Sequence, residues 1–165
     1  MLVRETLYFE RKKDPHHAIG IGKRYLIEQW LEEMSIKYCT INDDFSIDSE
    51  SDVILADLGL TEIPSFIQFR KVEGFFSCSY NSLTSLRGVP DIVGDDFYCK
   101  SNLLTTLKYC PRFVRWGFDC DYNNLVSLEG APNSISGSFS CQKNSVQFTE
   151  EDVKKVCKVG AHIYV

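Results

Sequence analysis

A repeat of 21 residues constrains this chain more than any other feature. The frame Phe-x-Cys-x-x-Asn begins at residues 76, 97, 118 and 139. Three copies align over their full length, and in each of them leucines follow the asparagine by two and five positions and a proline follows it by nine. A fixed period in the twenties predicts a solenoid, in which each copy forms one coil and stacks on its neighbours.

The spacing within a copy predicts the role of each position. Phe97 and Cys99 are two residues apart, so both side chains face the same side of a short strand. Asn102 follows where the chain turns, and its amide can bond to backbone groups of the neighbouring coil. Leucines close the coil, and glycines permit the turn into the next strand. The predicted rows are Phe76, Phe97, Phe118 and Phe139; Cys78, Cys99, Cys120 and Cys141; Asn81, Asn102, Asn123 and Asn144; and Leu83, Leu104, Leu125 and Val146.

The cysteine row could indicate metal or redox chemistry, or it could fill one structural position in each copy. Coils stack at about 4.8 Å, so four cysteines one coil apart form a line inside the core. Tetrahedral zinc needs four sulfurs around one point, and the C-x-x-C pairs typical of such sites are missing from the sequence. We therefore predict a reduced, structural row without metal, and we expect Cys110 to be another small buried residue.

Composition narrows the class of protein. The 165 residues are 44% hydrophobic and 25% charged, which is typical of one soluble domain with its own core. Seven cysteines and the absence of an apolar N-terminal stretch of signal-peptide length favour free thiols in a reducing compartment. The net charge of −5 argues against sequence-independent nucleic-acid binding, and the short apolar runs argue against a membrane span. We expect no nucleic-acid partner, no membrane partner and no cofactor.

Three regions follow from the repeat. Residues 53–148 form an array of about five coils, the first of them degenerate. Residues 1–52 hold an N-terminal segment, two short strands and an amphipathic helix over residues 22–35, whose apolar stripe is Ile27, Trp30, Leu31 and Met34. Residues 149–165 form a C-terminal cap, in which Thr149 caps a helix that ends at Gly160, followed by a final strand. The prediction is an α/β repeat solenoid with a cap at each end.

The repeat resembles the leucine-rich repeat, L-x-x-L-x-L-x-x-N-x-L, with Phe76 and Cys78 at its fourth and sixth positions and Asn81 at its ninth. The first leucine of that pattern is replaced by valine or isoleucine one residue early, at positions 93, 114 and 135. The whole chain is similar to small leucine-rich-repeat proteins encoded by tailed bacteriophages, in "FSCSYNSLTSLRGVPDIVGDD" and in the N-terminal "FERKKDPHHAIGIGKR". This resemblance implies a phage-encoded protein, in the cytoplasm of a bacterial host or in the virion, and implies no known activity.

Function is expected to depend on the sheet face of the solenoid, where side chains that do not serve the core are available to a partner. We expect a non-enzymatic protein-binding module that acts on a host defence or regulatory protein, whose identity the sequence does not specify, and we predict no catalytic residues. The alternatives are a structural component of the phage particle and, less favoured, an enzyme. The candidate binding residues are Tyr98, Lys100, Asp119, Asp121 and Tyr122.

The N-terminal segment offers rival interpretations. The stretch "GIGK" suggests a phosphate-binding loop, but that pattern needs glycine where His17 stands and Ser or Thr where Arg24 stands. Asp14, His16 and His17 could bind a metal ion, although adjacent histidines in a strand point in opposite directions. A basic contact surface around Arg11, Lys12, Lys13 and His17 is the rival to the sheet face.

Overall fold

The protein is a parallel β-solenoid with a helix at each end, as the repeat predicted. The structure is a computed structural model and describes residues 15–165. Helix α1 (Pro15–Glu33) precedes the coils and helix α2 (Glu150–Val156) follows them. Each complete coil contributes one strand to each of two sheets, which we name the Phe sheet and the Val sheet after their main buried residues.

The Phe sheet is built from the repeated Phe-x-Cys frame. Its six parallel strands are β3 (Val53–Ile54), β5 (Phe76–Ser77), β7 (Phe97–Tyr98), β9 (Phe118–Asp119), β11 (Phe139–Ser140) and β13 (Ile163–Tyr164). The register pairs each phenylalanine with the phenylalanine of the next coil. The C-terminal strand β13 pairs with β11 in the same register, so the final strand extends the sheet beyond the repeats.

The Val sheet as a whole was not predicted, although the two short strands expected before the array are present as its first two strands. It contains β1 (Cys39–Ile41), β2 (Ile47–Ser49), β4 (Phe69–Val72), β6 (Ile92–Val93) and β8 (Phe113–Val114), of which only β1 runs antiparallel. Strand β10 (Ser134–Ile135) pairs with β12 (Lys158–Val159), and the Ser136 amide donates to the Arg115 carbonyl at 2.9 Å, so the stack continues. Val93, Val114 and Ile135 are buried, but one apolar residue per strand is too short a pattern to predict a sheet.

Helix α1 begins at Pro15, seven residues before the predicted start at Gly22. Proline suits the first position of a helix because its missing N–H would have no partner there. Gly20 and Gly22 therefore lie inside the helix and not in a loop before it, so the phosphate-loop interpretation is wrong. The predicted apolar stripe is confirmed: Ile27, Trp30 and Leu31 are buried and Met34 packs against the core.

The C-terminal cap begins as predicted and ends earlier. The Thr149 side chain accepts from the Asp152 amide, and the Asp152 carboxylate accepts from the Thr149 amide, which completes a capping box. The helix ends at Val156 and not at Gly160, because the chain leaves it to pair β12 with β10. The repeat position Val146 is 42% exposed and not buried; Phe148 is buried in this region of the cap.

Stacked side chains fill the core in rows, as predicted. The rings of Phe76, Phe97 and Phe118 follow one another with centroids 5.7 Å apart, and Phe139 lies 5.0 Å beyond Phe118. The column continues through Phe69 to Trp30 of α1, so it links the N-terminal cap to the last repeat. Beside it lie Cys78, Cys99, Cys120 and Cys141, all buried, and the separate Cys110 is buried too.

The asparagine row connects each coil to the one before it. The Asn102 amide group donates to the carbonyls of Cys78 and Cys99 at 2.9 and 3.1 Å, and its oxygen accepts from the Leu83 amide at 2.9 Å. Asn123 makes the corresponding bonds one coil later. The chain turns between the cysteine and the leucines of each coil, so these backbone groups have no partners in a β-ladder. The asparagine bonds satisfy them.

A left-handed residue precedes each of these asparagines, which the sequence analysis did not predict. The φ angles are 57° at Tyr80, 54° at Ser101, 53° at Tyr122 and 55° at Lys143. Such angles usually favour glycine, yet none of the four is glycine. The asparagine bonds that follow hold the turn in this conformation, and the side chain of each left-handed residue lies at the end of the sheet face.

Candidate binding groove on the Phe sheet

Three of the five predicted site residues lie together on the outer face of the Phe sheet. Tyr98 and Asp119 are register partners on β7 and β9. The Lys100 ammonium lies 3.7 Å from the Asp119 carboxylate and 5.4 Å from the centre of the Tyr80 ring. The middle of the sheet therefore carries tyrosine rings, an ammonium group and a carboxylate group on neighbouring coils.

The other two predicted residues have different positions. The Asp121 Oδ1 atom accepts from the Ser140 hydroxyl at 2.7 Å and from the Gln142 amide at 2.6 Å, so this carboxylate already joins two coils. Tyr122 occupies the left-handed turn and is 57% exposed. It lies at the end of the face, beyond the strand that carries Asp119.

The face differs from coil to coil. Ser77 and Ser79, at the positions of Tyr98 and Lys100 one coil earlier, are buried and not available to solvent. The Ser79 hydroxyl has no hydrogen-bond partner among the described residues. The face is therefore closed to solvent on β5, although Ile54, the register partner of Ser77 on β3, is exposed. The continuous accessible part runs from β7 toward the C-terminal strand.

A groove opens beside Tyr98 and Asp119 on this accessible part. Its walls include Trp116 and Tyr164, each 48% exposed, and its floor is formed partly by Gly117 and Gly137. A Cβ atom at Gly137 would come within 2.7 Å of the Trp116 carbonyl carbon. Glycine is needed there because the backbones of successive coils approach too closely for a side chain.

Three carboxylates line the groove: Asp95, Asp96 and Asp119. The Asp96 Oδ1 atom accepts from the Gly117 amide at 2.6 Å, which ties the carboxylate to the next coil. Burial, together with the charge of Asp96, raises the pKa of Asp95, and burial raises the pKa of Asp119. Burial and the neighbouring carboxylate of Asp96 raise the pKa of Tyr98 to about 12, so its phenol stays protonated at neutral pH.

The groove places exposed aromatic side chains beside carboxylate oxygens, and this combination can bind a ligand. In the described part of the chain, no group of three or more His, Cys, Asp or Glu side chains is placed to hold a metal ion. The thiols lie in the core and not in the groove, and burial raises the pKa of Cys78 to about 12, which keeps it protonated and unreactive.

Sequence reasoning missed Asp95, Trp116 and Tyr164 as lining residues of the groove, and it assigned Gly117 and Gly137 only to turns. One signal was visible. The three residues before each repeated phenylalanine read "GDD", "RWG" and "SGS" in successive copies, so this is where the repeat is least regular. A solenoid position that serves only the core keeps its residue type from copy to copy, whereas this one does not.

The rival N-terminal surface is not described by the structure. Arg11, Lys12, Lys13 and Asp14 lie outside the described residues, as do the side chains of His16 and His17. The basic surface and the metal interpretation of this segment stay predictions.

Comparison of the chain with protein-family models, with curated proteins and with solved structures found no match. Among the described residues, no helix has the length and apolar character needed to cross a bilayer.

Proposed function

We propose that this protein is a non-enzymatic protein-binding module that contacts its partner through the outer face of the Phe sheet. The observation that carries the proposal is the concentration of exposed aromatic side chains around charged ones on this face. Trp116 and Tyr164 are each about half exposed in the groove beside Asp119, whose carboxylate faces Lys100, and Tyr122 is about half exposed at the end of the face. Aromatic residues dominate the binding energy of protein interfaces, and exposed clusters of them usually mark such surfaces.

The dimensions of the face suit a protein partner. The four strands from β7 to β13, at about 4.8 Å each, give an accessible surface about 14 Å long. Protein interfaces of standard size bury roughly 800 Å² on each partner, so the turns at both ends of these strands must take part in the contact. Small-molecule sites are concave and enclose most of their ligand, whereas this groove is open to solvent.

The resemblance to phage-encoded leucine-rich-repeat proteins supports a partner in the bacterial host, namely a defence or regulatory protein. Affinity purification of the tagged protein from infected cells, followed by mass spectrometry, is expected to recover one host protein in stoichiometric amount. Recovery of many copies in purified virions, without a host partner, would favour a structural component of the particle instead.

Paired variants locate the contact surface once the partner is identified. Tyr98→Ala combined with Tyr122→Ala removes two aromatic side chains from the face, and hot-spot residues of this kind contribute at least about 2 kcal/mol each. We expect at least a thirtyfold loss of affinity, measured by calorimetry on protein whose circular dichroism is unchanged. Lys12→Glu combined with Lys13→Glu is the matched test of the rival N-terminal surface, and a loss of binding confined to that variant would move the site there.

A further inference from the structure

We propose that the groove between Trp116, Tyr98 and Tyr164 receives an arginine side chain from an extended segment of the protein partner. The inference rests on the proposed function, because it assigns the partner's chemistry at the same face. It adds a specific claim that the proposed function does not need, which is that a guanidinium group occupies the groove.

Charge complementarity is the first argument. Asp95, Asp96 and Asp119 line the groove, and the nearest ammonium, Lys100, lies 3.7 Å from only one of them. Asp96 uses one carboxylate oxygen for the Gly117 amide, and Asp119 uses one for the Asp121 amide at 3.0 Å. The second oxygen of Asp119 faces Lys100, and the charge of Arg115 acts on Asp95. Three carboxylates therefore share two cations of the chain, and the Asp95 oxygens accept no hydrogen bond from the described residues.

The aromatic walls favour arginine over lysine. A guanidinium is planar, stacks on aromatic faces and can donate two parallel hydrogen bonds to a carboxylate, whereas an ammonium is compact and strongly hydrated. The chain's own Arg115 places its guanidinium carbon 5.8 Å from the centre of the Trp116 ring, so this indole already lies beside one cation of the same kind.

The spacing of the carboxylates favours an extended cation over a metal ion. Calcium and magnesium need several oxygens that converge on one point at short distance. Asp95 and Asp96 precede β7 in one coil and Asp119 lies on β9 in the next, and the described residues include no metal-binding cluster. Burial and the charge of Asp96 raise the pKa of Asp95, and a guanidinium beside Asp95 would offset this repulsion.

The open shape of the groove favours a side chain carried by a peptide over a free small molecule. Gly117 and Gly137 line the groove and add no side chains that would narrow it. The groove is open to solvent, so a single small cation would keep most of its hydration and gain little. Neighbouring contacts along the face are needed to hold it, and a protein segment supplies them.

The test uses a defined probe and the two tryptophans of the full-length chain. The probe is a glycine–serine peptide that carries two arginines, and its control carries citrulline, which is neutral and of the same shape. In an ¹⁵N NMR titration we expect the arginine peptide to shift the Trp116 indole signal saturably and to leave the signal of Trp30, which is buried against Phe69, unchanged. We expect no saturable shift with citrulline.

Two charge-matched double variants distinguish an effect of the groove carboxylates from an effect of the protein's net charge. Asp95→Asn with Asp119→Asn is expected to weaken the arginine peptide at least about tenfold, because charge-assisted hydrogen bonds are lost while the side-chain shape is kept. Glu62→Gln with Glu129→Gln removes the same two charges from exposed positions that do not line the groove, and is expected to leave the affinity unchanged.

The inference would be overturned by no binding of the arginine peptide at millimolar concentration, by equal binding of the citrulline peptide, or by equal weakening in both double variants. It would also be overturned if the Trp116 signal moves, without peptide, when Arg11, Lys12 and Lys13 are replaced with alanine. That result would assign the groove to the chain's own N-terminal segment.

The partner experiments separate this inference from the proposed function. If the partner is lost with Tyr98→Ala and Tyr122→Ala but kept with the Asn variants, the binding face stands and only the arginine assignment fails. If the peptide results hold but none of these variants affects the partner, the proposed function fails on its own.

Discussion

At the scale of single residues, the asparagines do more for this fold than their polar character suggests. Asn102 is buried, and its oxygen accepts from the Leu83 amide while its nitrogen donates to the carbonyls of Cys78 and Cys99. Its removal leaves the Leu83 amide without a partner, whereas the two carbonyls still accept from Asn81 and Asn123. We expect Asn102→Ala to lower the free energy of unfolding by about 1–3 kcal/mol in urea denaturation. Asn124→Ala is the control, because Asn124 is exposed in the next coil. Equal stability of the two variants would contradict this role.

We expect the charged form of a second residue, Asp119, to lower the stability of the folded protein. Burial raises its pKa, so the folded protein binds a proton there more readily than the unfolded chain does. The destabilisation is therefore complete at neutral pH and disappears as the pH falls through the raised pKa toward the value of an ordinary carboxyl group. Asp119→Asn should raise the melting temperature at neutral pH, and the difference from wild type should vanish in acid.

The control for this test is Glu129→Gln, which removes an exposed charge and should leave the melting temperature nearly unchanged. Loss of the Lys100 ion pair acts against the expected gain in Asp119→Asn. The pair is partly exposed and its atoms are 3.7 Å apart, so its contribution is small. A lower melting temperature of Asp119→Asn at neutral pH would show that the pair outweighs the burial of the charge.

At the scale of elements, the cysteine row is the clearest consequence of the repeat. The thiols of Cys99 and Cys120 lie in the core, and burial raises the pKa of both. Because the thiolate is the reactive form, we expect the row to react slowly with Ellman's reagent in the native protein. Cys39, which is only partly buried, should react first.

Unfolding in guanidinium should make all seven thiols react at one fast rate, which controls for reagent quality. Stoichiometric zinc in the purified protein, or fast native reaction of more than one thiol, would contradict a structural role. Cys99→Ser should lower stability by roughly 1–3 kcal/mol, since the added hydroxyl is buried in the core.

The elements also show how far the sequence could predict this structure. The Phe sheet was predictable because phenylalanine and cysteine alternate at fixed spacing in every copy. The strands that the repeat copies add to the Val sheet stack were not, since β6, β8 and β10 each bury a single residue, such as Val93, without a second one in alternation. Of the site, Tyr98, Lys100 and Asp119 could be placed from the repeat, whereas Trp116 and Asp95 could not. They lie in the turns between the two sheets, whose geometry the repeat does not specify.

At the scale of the whole molecule, the stacked aromatic column makes stability depend on neighbouring coils. In a solenoid each coil contacts only the adjacent ones. The loss of a buried side chain in a middle coil therefore weakens the contact between the two halves of the array, whereas the same loss in an end coil destabilises only that end. The column runs from Trp30 of α1 to Phe139 of β11 and passes through both Phe97 and Phe118.

Two alanine substitutions of equally buried phenylalanines should therefore differ in their effects. Phe97 stacks on a ring at each side at 5.7 Å, whereas Phe139 stacks on one ring at 5.0 Å and is followed by the strand of Ile163. Each loss costs about 3–5 kcal/mol by direct truncation. In native-state hydrogen exchange, we expect Phe139→Ala to increase exchange mainly in residues 139–165 and Phe97→Ala to increase it on both sides of β7. If both variants show the same exchange pattern, the solenoid unfolds as one cooperative unit, and the expected dependence of each coil on its neighbours alone is wrong.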